Sequence, residues 1–142
     1  MKKSNMLVKE EVRKQAKKIL KQNNFKLIIQ RDPSNLYNLA YIIDKNSQIF
    51  YMAKAVDVDN LIDLILRKLV IRDPLLEIKE EISDKLFVSK LDELIKTRKA
   101  IVTLYTNKDK VIANIKMLNS SVVYNLVGNT ITKVLEKIEE LT

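Results

Sequence analysis

Ala100–Leu118, AIVTLYTNKDKVIANIKML, is the stretch that decides the fold class. Ala100 to Thr106 is a run of β-branched and aromatic residues, the clearest strand signal in the chain. Asn107-Lys108-Asp109-Lys110 is a turn cluster and Val111 to Leu118 returns, so the stretch reads as a β-hairpin. A second hairpin lies upstream. Leu36 to Ile43 (LYNLAYII) and Ile49 to Ala53 (IFYMA) flank the polar turn Asp44-Lys45-Asn46-Ser47. Phe25 to Gln30 (FKLIIQ) reads as a further strand, closed by the turn cluster Arg31-Asp32-Pro33-Ser34-Asn35.

Helical spacing fills the gaps between these strands. Asp57 and Asp59 both suit the cap of a helix running to Arg72. Leu61, Ile62, Leu64, Ile65, Leu66, Leu69, Val70 and Ile71 make that helix apolar most of the way round, which predicts burial on more than one side or a subunit interface. Within it, Asp63 and Arg67 are spaced to pair. Asp73 suits an N-cap and Pro74 the first position of another helix, continued by Leu75, Ile78, Ile82 and Leu86. Ser89 with Asp92 resembles a capping box for a short helix through Lys99. Asn119-Ser120-Ser121 suits the cap of a long helix from Val122, with Val127, Ile131, Val134, Ile138 and Leu141 in one stripe. Gly128 would weaken that helix, so the alternative is a strand over 122–127 and a helix starting near Thr130. Residues 36–72 and 100–141 each run hairpin then helix, a repeat of pattern without convincing identity. The expected fold is one α+β domain, residues 1–142. It has an antiparallel sheet of four or five strands, two hairpins among them, covered on one face and in part on the other by about four to five helices.

Composition excludes more than it identifies. With no cysteine there are no disulfides and no thiolate catalysis, and with no histidine the commonest base and metal ligand is missing. A single glycine rules out glycine-rich phosphate loops. No stretch is apolar enough to span a bilayer and no secretory leader is evident, so a cytoplasmic location is expected.

The net charge of +8 is an N-terminal feature. Residues 1–31 hold ten basic residues against two acids, Glu10 and Glu11, whereas the remaining 111 residues hold sixteen of each sign. Residues 5–22 read as a basic amphipathic helix. Val8, Val12, Ala16, Ile19 and Leu20 form its apolar stripe, and Arg13, Lys14, Lys17, Lys18 and Lys21 take the opposite arc. That arc reads as a solvated helix face or a phosphate-tracking surface; attachment to an anionic membrane surface is the weaker third reading, since the apolar stripe has no Trp or Phe and is sized for packing on a core. Tyr37 and Tyr41 share one face of their strand by period-two alternation, Tyr51 lies on the returning strand and Tyr105 on the later hairpin. Tyrosines on a half-covered sheet, flanked by Lys54, Lys108 and Lys116, would stack bases.

These features lead to a non-enzymatic nucleic-acid-binding protein favouring single strands. The expected contact residues are Lys9, Arg13, Lys14, Lys17, Lys18, Lys21, Lys26 and Arg31 for phosphates, with Tyr37, Tyr41, Tyr51, Tyr105 and Lys116 on the sheet. No cofactor, metal, membrane or small-molecule substrate is expected. A homodimer is, formed through the helix of residues 59–72 or the C-terminal stripe. Glu77-Ile78-Lys79 matches the Glu-x-Lys element of metal-dependent nucleases, but the segment reads as helix where that chemistry needs adjacent strands. Ser120-Ser121 reads as capping, since nucleophilic serine would need an activating base.

The stretch LAYIIDKNSQIFYMAKAVDVDNLIDLI from Leu39 resembles roadblock or profilin-like domains in its hairpin-then-helix order, without their glycine at the hairpin turn. The resemblance implies an alternative role, a protein-interaction adaptor acting through helix 59–72. The overall order, a basic helix and a sheet with helices, is also similar to small archaeal single-strand DNA-binding proteins.

Overall fold

The computed structural model describes residues 2–71 and 89–141, with the backbone alone for 2–9 and 89. The chain runs α1 (Lys2–Asn23), β1 (Lys26–Arg31), β2 (Asn38–Ile43), β3 (Ile49–Ala55), α2 (Val58–Ile71), α3 (Ser89–Thr97), β4 (Ile101–Asn107), β5 (Lys110–Lys116), β6 (Val123–Gly128) and α4 (Ile131–Glu139). All strands join one antiparallel sheet in the order β3-β2-β1-β4-β5-β6. The sheet therefore has six strands, where four or five were expected, with four helices among the described residues. The helix over 74–86, its Asp73-Pro74 start and Glu77-Ile78-Lys79 lie outside the described residues.

β6 is the added strand, and it settles the two readings of residues 122–141 in favour of strand then helix. Val123 to Gly128 pair with β5 from Lys116↔Val123 to Val111↔Gly128. A helix there would leave the outer backbone groups of β5 without those partners. Asn119-Ser120-Ser121 does not cap a helix but turns the hairpin, with Ser120 Oγ accepting the Val122 N–H at 3.1 Å. The cap of α4 is Thr130, in extended conformation, whose Oγ1 accepts the Lys133 N–H at 3.0 Å.

Period-two burial sorts each strand into two faces. Leu27 and Ile29 of β1, Ala40 and Ile42 of β2, Val102 and Leu104 of β4, and Val111, Ala113 and Ile115 of β5 are buried. They meet Val12, Ala16 and Leu20 of α1, Leu61, Ile62, Ile65, Leu66 and Leu69 of α2, Leu91, Leu94 and Ile95 of α3, and Ile131, Val134, Leu135 and Ile138 of α4 in one core. The helices also pack on one another, α1 on α2 and α4, α3 on α2 and α4. All four described helices thus lie on one face, and none of the strand residues facing the other way is buried. Both apolar stripes expected to carry a dimer, that of α2 and the C-terminal one, are largely used up inside this core.

The strand order is a palindrome, and the pairing makes it a pseudo-two-fold. Between β1 and β4 the register is Leu27↔Leu104, Ile28↔Thr103 and Ile29↔Val102, which maps onto itself when the halves exchange, with the axis through Ile28 and Thr103. Counterparts differ by about 75 in number up to β1 and β4, and by about 73 from β2 and β5 onward. Ala16 and Leu20 then match Leu91 and Ile95, and Ala40, Ile42, Tyr51 and Ile65 match the identical residues Ala113, Ile115, Tyr124 and Ile138. The dipeptide Asn46-Ser47 recurs as Asn119-Ser120 in the corresponding hairpin connection. The repeat therefore has residue identity as well as pattern, at spacings that the different loop lengths hide.

Local devices recur with it. Asp57 caps α2 by accepting the Asp59 N–H at 3.0 Å, as Thr130 caps α4, and the Leu61 and Val134 N–H groups reach the cap carbonyls at 3.0 and 3.2 Å. Asn24 (φ 54°) and Lys99 (φ 52°) are both left-handed residues that turn a helix into a strand. At each sheet edge a lysine of the following helix donates to a strand carbonyl, Lys68 to Met52 at 3.3 Å and Lys137 to Val127 at 2.5 Å. Positive charge at an open edge discourages edge-to-edge pairing. One first-turn N–H of α3, that of Lys90, is accepted by Glu139 Oε1 at 2.6 Å, while Asp92 Oδ1 lies 3.2 Å from Lys96 Nζ. Asp63 and Arg67 pair as expected, at 3.2 Å and 10% exposure each.

Candidate functional site

The candidate surface is the face of the sheet turned away from the four described helices, open among the described residues. Register places its residues in three rows. The central row runs Met52, Tyr41, Ile28, Thr103, Asn114, Asn125. On one side lies Lys54, Leu39, Gln30, Ile101, Lys116, Val123. On the other, Ile43, Lys26, Tyr105, Ile112, Val127. The charged members are Lys26, Lys54 and Lys116, all exposed, and none of these positions holds a carboxylate. The face is otherwise apolar, hydroxyl-bearing or amide-bearing.

Three pairs of its polar side chains hold one another. Lys26 Nζ sits 5.5 Å from the centroid of the Tyr105 ring, a cation–π arrangement that positions both. Tyr41 Oη is 3.5 Å from Gln30 Oε1. Asn114 Nδ2 donates to Asn125 Oδ1 at 2.9 Å, leaving amide groups of both residues for a ligand. From ordinary strand spacing and rise, Tyr41 and Tyr105 stand about 12 Å apart across β1. Both rings are half-buried, so each offers surface from a fixed base.

The expected contact residues divide between opposite sides of the molecule. Lys26, Tyr41, Tyr105 and Lys116 share the open face, joined by Lys54. Tyr51 does not join them. It lies opposite buried Ile42 and packs on the core side, with its ring edge-on to Phe50 at 4.7 Å. Tyr37 does not share a strand with Tyr41 either, because β2 begins at Asn38; Tyr37 is an exposed residue of the β1–β2 connection. Arg31 donates to the Asn35 side chain and carbonyl at 3.1 and 2.7 Å and to Asn38 Oδ1 at 3.0 Å, bracing that connection.

The cations of α1 belong to the helix layer, across the sheet from the tyrosines. Arg13, with its side chain only 11% exposed, donates to Thr132 Oγ1 at 2.9 Å and lies 3.6 Å from Glu10. Lys17 donates to the Asn129 carbonyl at 2.5 Å, and Lys21 pairs with Asp109. That bond and the Lys21 charge, aided by Lys17 and Lys110, hold the Asp109 carboxyl below the usual carboxylate range. One stripe of the basic arc thus fastens α1 to α4 and to the β4–β5 turn. Lys14 and Lys18 remain exposed, without an ion pair among the described residues, and Lys9 is described by its backbone alone.

Sequence reading missed Gln30, Thr103, Asn114 and Asn125. Alternation on β4 and β5 could have placed Thr103 beside Tyr105 and Asn114 beside Lys116, had the covered face been known. Among the described residues no group of three acidic side chains is close enough to hold a metal ion, and no helix is long and apolar enough to cross a membrane. No family model, curated protein or solved structure matches the chain.

Proposed function

We propose that the chain is a non-enzymatic binder of single-stranded nucleic acid, which it holds on the open face of the sheet. The observation that supports this reading is the company the tyrosines keep: Tyr41 and Tyr105 stand among Lys26, Lys54 and Lys116 with no carboxylate in any of the three rows. Unpaired bases stack on the rings, and the lysines meet the phosphates between them. A duplex hides its base faces and gains only the phosphate term, so the single strand is preferred.

Fluorescence anisotropy of labelled single-stranded and duplex oligonucleotides, at about 50 and 200 mM salt, tests this. Three lysine contacts give a salt slope of about −2 for a single strand, so affinity falls roughly fifteenfold between those conditions. Tyr41→Ala and Tyr105→Ala each weaken binding about tenfold or more. Charge reversal at Lys14 and Lys18 has a smaller effect than reversal at Lys26 and Lys116. Binding that ignores both salt and the tyrosines refutes the reading.

The apolar share of the same face, with Ile28, Leu39, Ile101 and Ile112 at its middle, favours a second reading, a protein partner laid on the sheet. It predicts no oligonucleotide binding, together with protection of these residues in a complex.

A further inference from the structure

The open face ends in a cleft that neither the sheet tyrosines nor α1 accounts for. One wall is Asp32, Pro33 and Asn35 of the β1–β2 connection; the other is the α3–β4 corner at Lys99, with Leu118 beyond the end of β5. Gln30 and Ile101 of the open face form part of its lining, and Lys116 pairs in register with Ile101.

Two features mark it as built for an anion. The first is Arg31. Three of its five N–H groups are engaged by Asn35 and Asn38, which clamp the guanidinium plane and leave one N–H on each terminal nitrogen. Spare donors on both nitrogens are what a two-point grip on phosphate oxygens requires. The second is Lys99. It occupies a left-handed position, φ 52°, where helix ends favour glycine or asparagine and where the other half of the molecule has Asn24. Lys99 lines the cleft, so this position sets a cation at its rim where the other half of the molecule has a neutral side chain. Asp32 also lines the cleft, but its carboxylate accepts the Ser34 hydroxyl at 2.6 Å within the loop. Arg31 and Lys99, both in the lining, outnumber it.

We infer that this cleft is a phosphate subsite at the end of the single-strand path, gripped by Arg31 and Lys99, with Lys116 beside its Ile101 wall on the neighbouring strand. The inference rests on the open face being the strand's seat. The phosphate is either a strand terminus or a backbone phosphodiester, and the experiment separates them.

Anisotropy is measured with oligonucleotides carrying a 5′-phosphate, a 3′-phosphate or neither, against the unmodified chain, Arg31→Lys and Lys99→Gly. Arg31→Lys lowers affinity about tenfold, since a single ammonium cannot reproduce the two-point grip. Lys99→Gly removes strain and charge together, so it raises the melting temperature by about 3 °C while making the salt slope shallower by about 0.7. Opposite signs of stability and affinity exclude misfolding as the cause. A gain from one terminal phosphate that vanishes in both variants identifies a strand end; equal losses on all three oligonucleotides identify a backbone phosphate. If Tyr105→Ala weakens binding but the cleft variants change neither affinity nor slope, the face binds a strand and the cleft proposal is overturned. If no oligonucleotide binds at all, the function proposed above fails, and inorganic phosphate followed by amide NMR decides the cleft alone. Shifts at Lys99, Ala100 and Leu118 uphold it, and their absence overturns it.

Discussion

The first half of the molecule, α1 to α2, and the second, α3 to α4, are alike where they are buried and unlike where they face out. Inside, Leu27 and Ile29 answer Val102 and Leu104, while Ala40, Ile42, Tyr51 and Ile65 recur unchanged as Ala113, Ile115, Tyr124 and Ile138. On the open face the same operation sets Tyr41 against Asn114, Met52 against Asn125, Lys26 against Ile101 and Gln30 against Tyr105. Shape complementarity in a packed core permits few changes of volume, whereas an uncovered face imposes no such limit. Under the proposed function, a face without the symmetry of the core suits an occupant with direction, such as a single strand. Charge diverges in the same way: Lys17 and Lys18 of α1 stand where α3 has Asp92 and Glu93.

The widest test of this likeness is the core pair. Ile65→Ala and Ile138→Ala each remove a fully buried side chain and should cost about 2–5 kcal/mol, in a single cooperative urea transition for both variants. Two separate transitions would break the picture of one core shared by two halves. Next comes the position where the halves depart inside. A Cβ on Gly128 would meet Lys133 Cβ and Val134 Cγ2 at 3.1 Å, so Gly128→Ala should destabilise by about 1–3 kcal/mol. Its counterpart Ala55→Gly should cost only about 0.5–1 kcal/mol, from chain entropy. The caps follow: Asp57→Ala and Thr130→Ala should each lose about 1 kcal/mol, and equal losses sharpen the equivalence.

The smallest effect concerns Lys21 and its counterpart Lys96, which chose different partners, Asp109 across the fold and Asp92 within the helix. Because the Asp109 carboxyl titrates below its unfolded value, the pair's contribution is present above the ordinary aspartate range and is lost as pH falls through the lowered value. NMR titration of the Asp109 carboxyl should show the depressed midpoint, and Lys21→Met should return it to the ordinary range. An unchanged midpoint would mean that α1 is not tied to the β4–β5 turn in solution.

Local signals carried the strands and caps. Val and Ile in alternation marked β4 and β5, Asp57 announced α2, and the Asp44–Ser47 cluster the second hairpin. Residues 122–141 were ambiguous because Val127, Ile131 and Val134 satisfy a helical period, while the partner that makes 123–128 a strand is β5 across a turn. The candidate site was half legible. Tyr41, Tyr105 and Lys116 were recognisable as a kind of surface, but Tyr51 differs from them only in which side of the sheet it takes.

Local sequence carried most of the strands and the start of α2, the concentration of excess charge in the opening segment, and which side chains alternate along each strand. Only the tertiary structure decided which alternation faces the helices, that Arg13, Lys17 and Lys21 hold α1 in place, and that the basic arc and the sheet tyrosines lie back to back. Periodicity is a property of one segment and says that neighbours point opposite ways. Which way is inward depends on what packs there, and that is set by contacts between residues as far apart in sequence as Arg13 and Thr132.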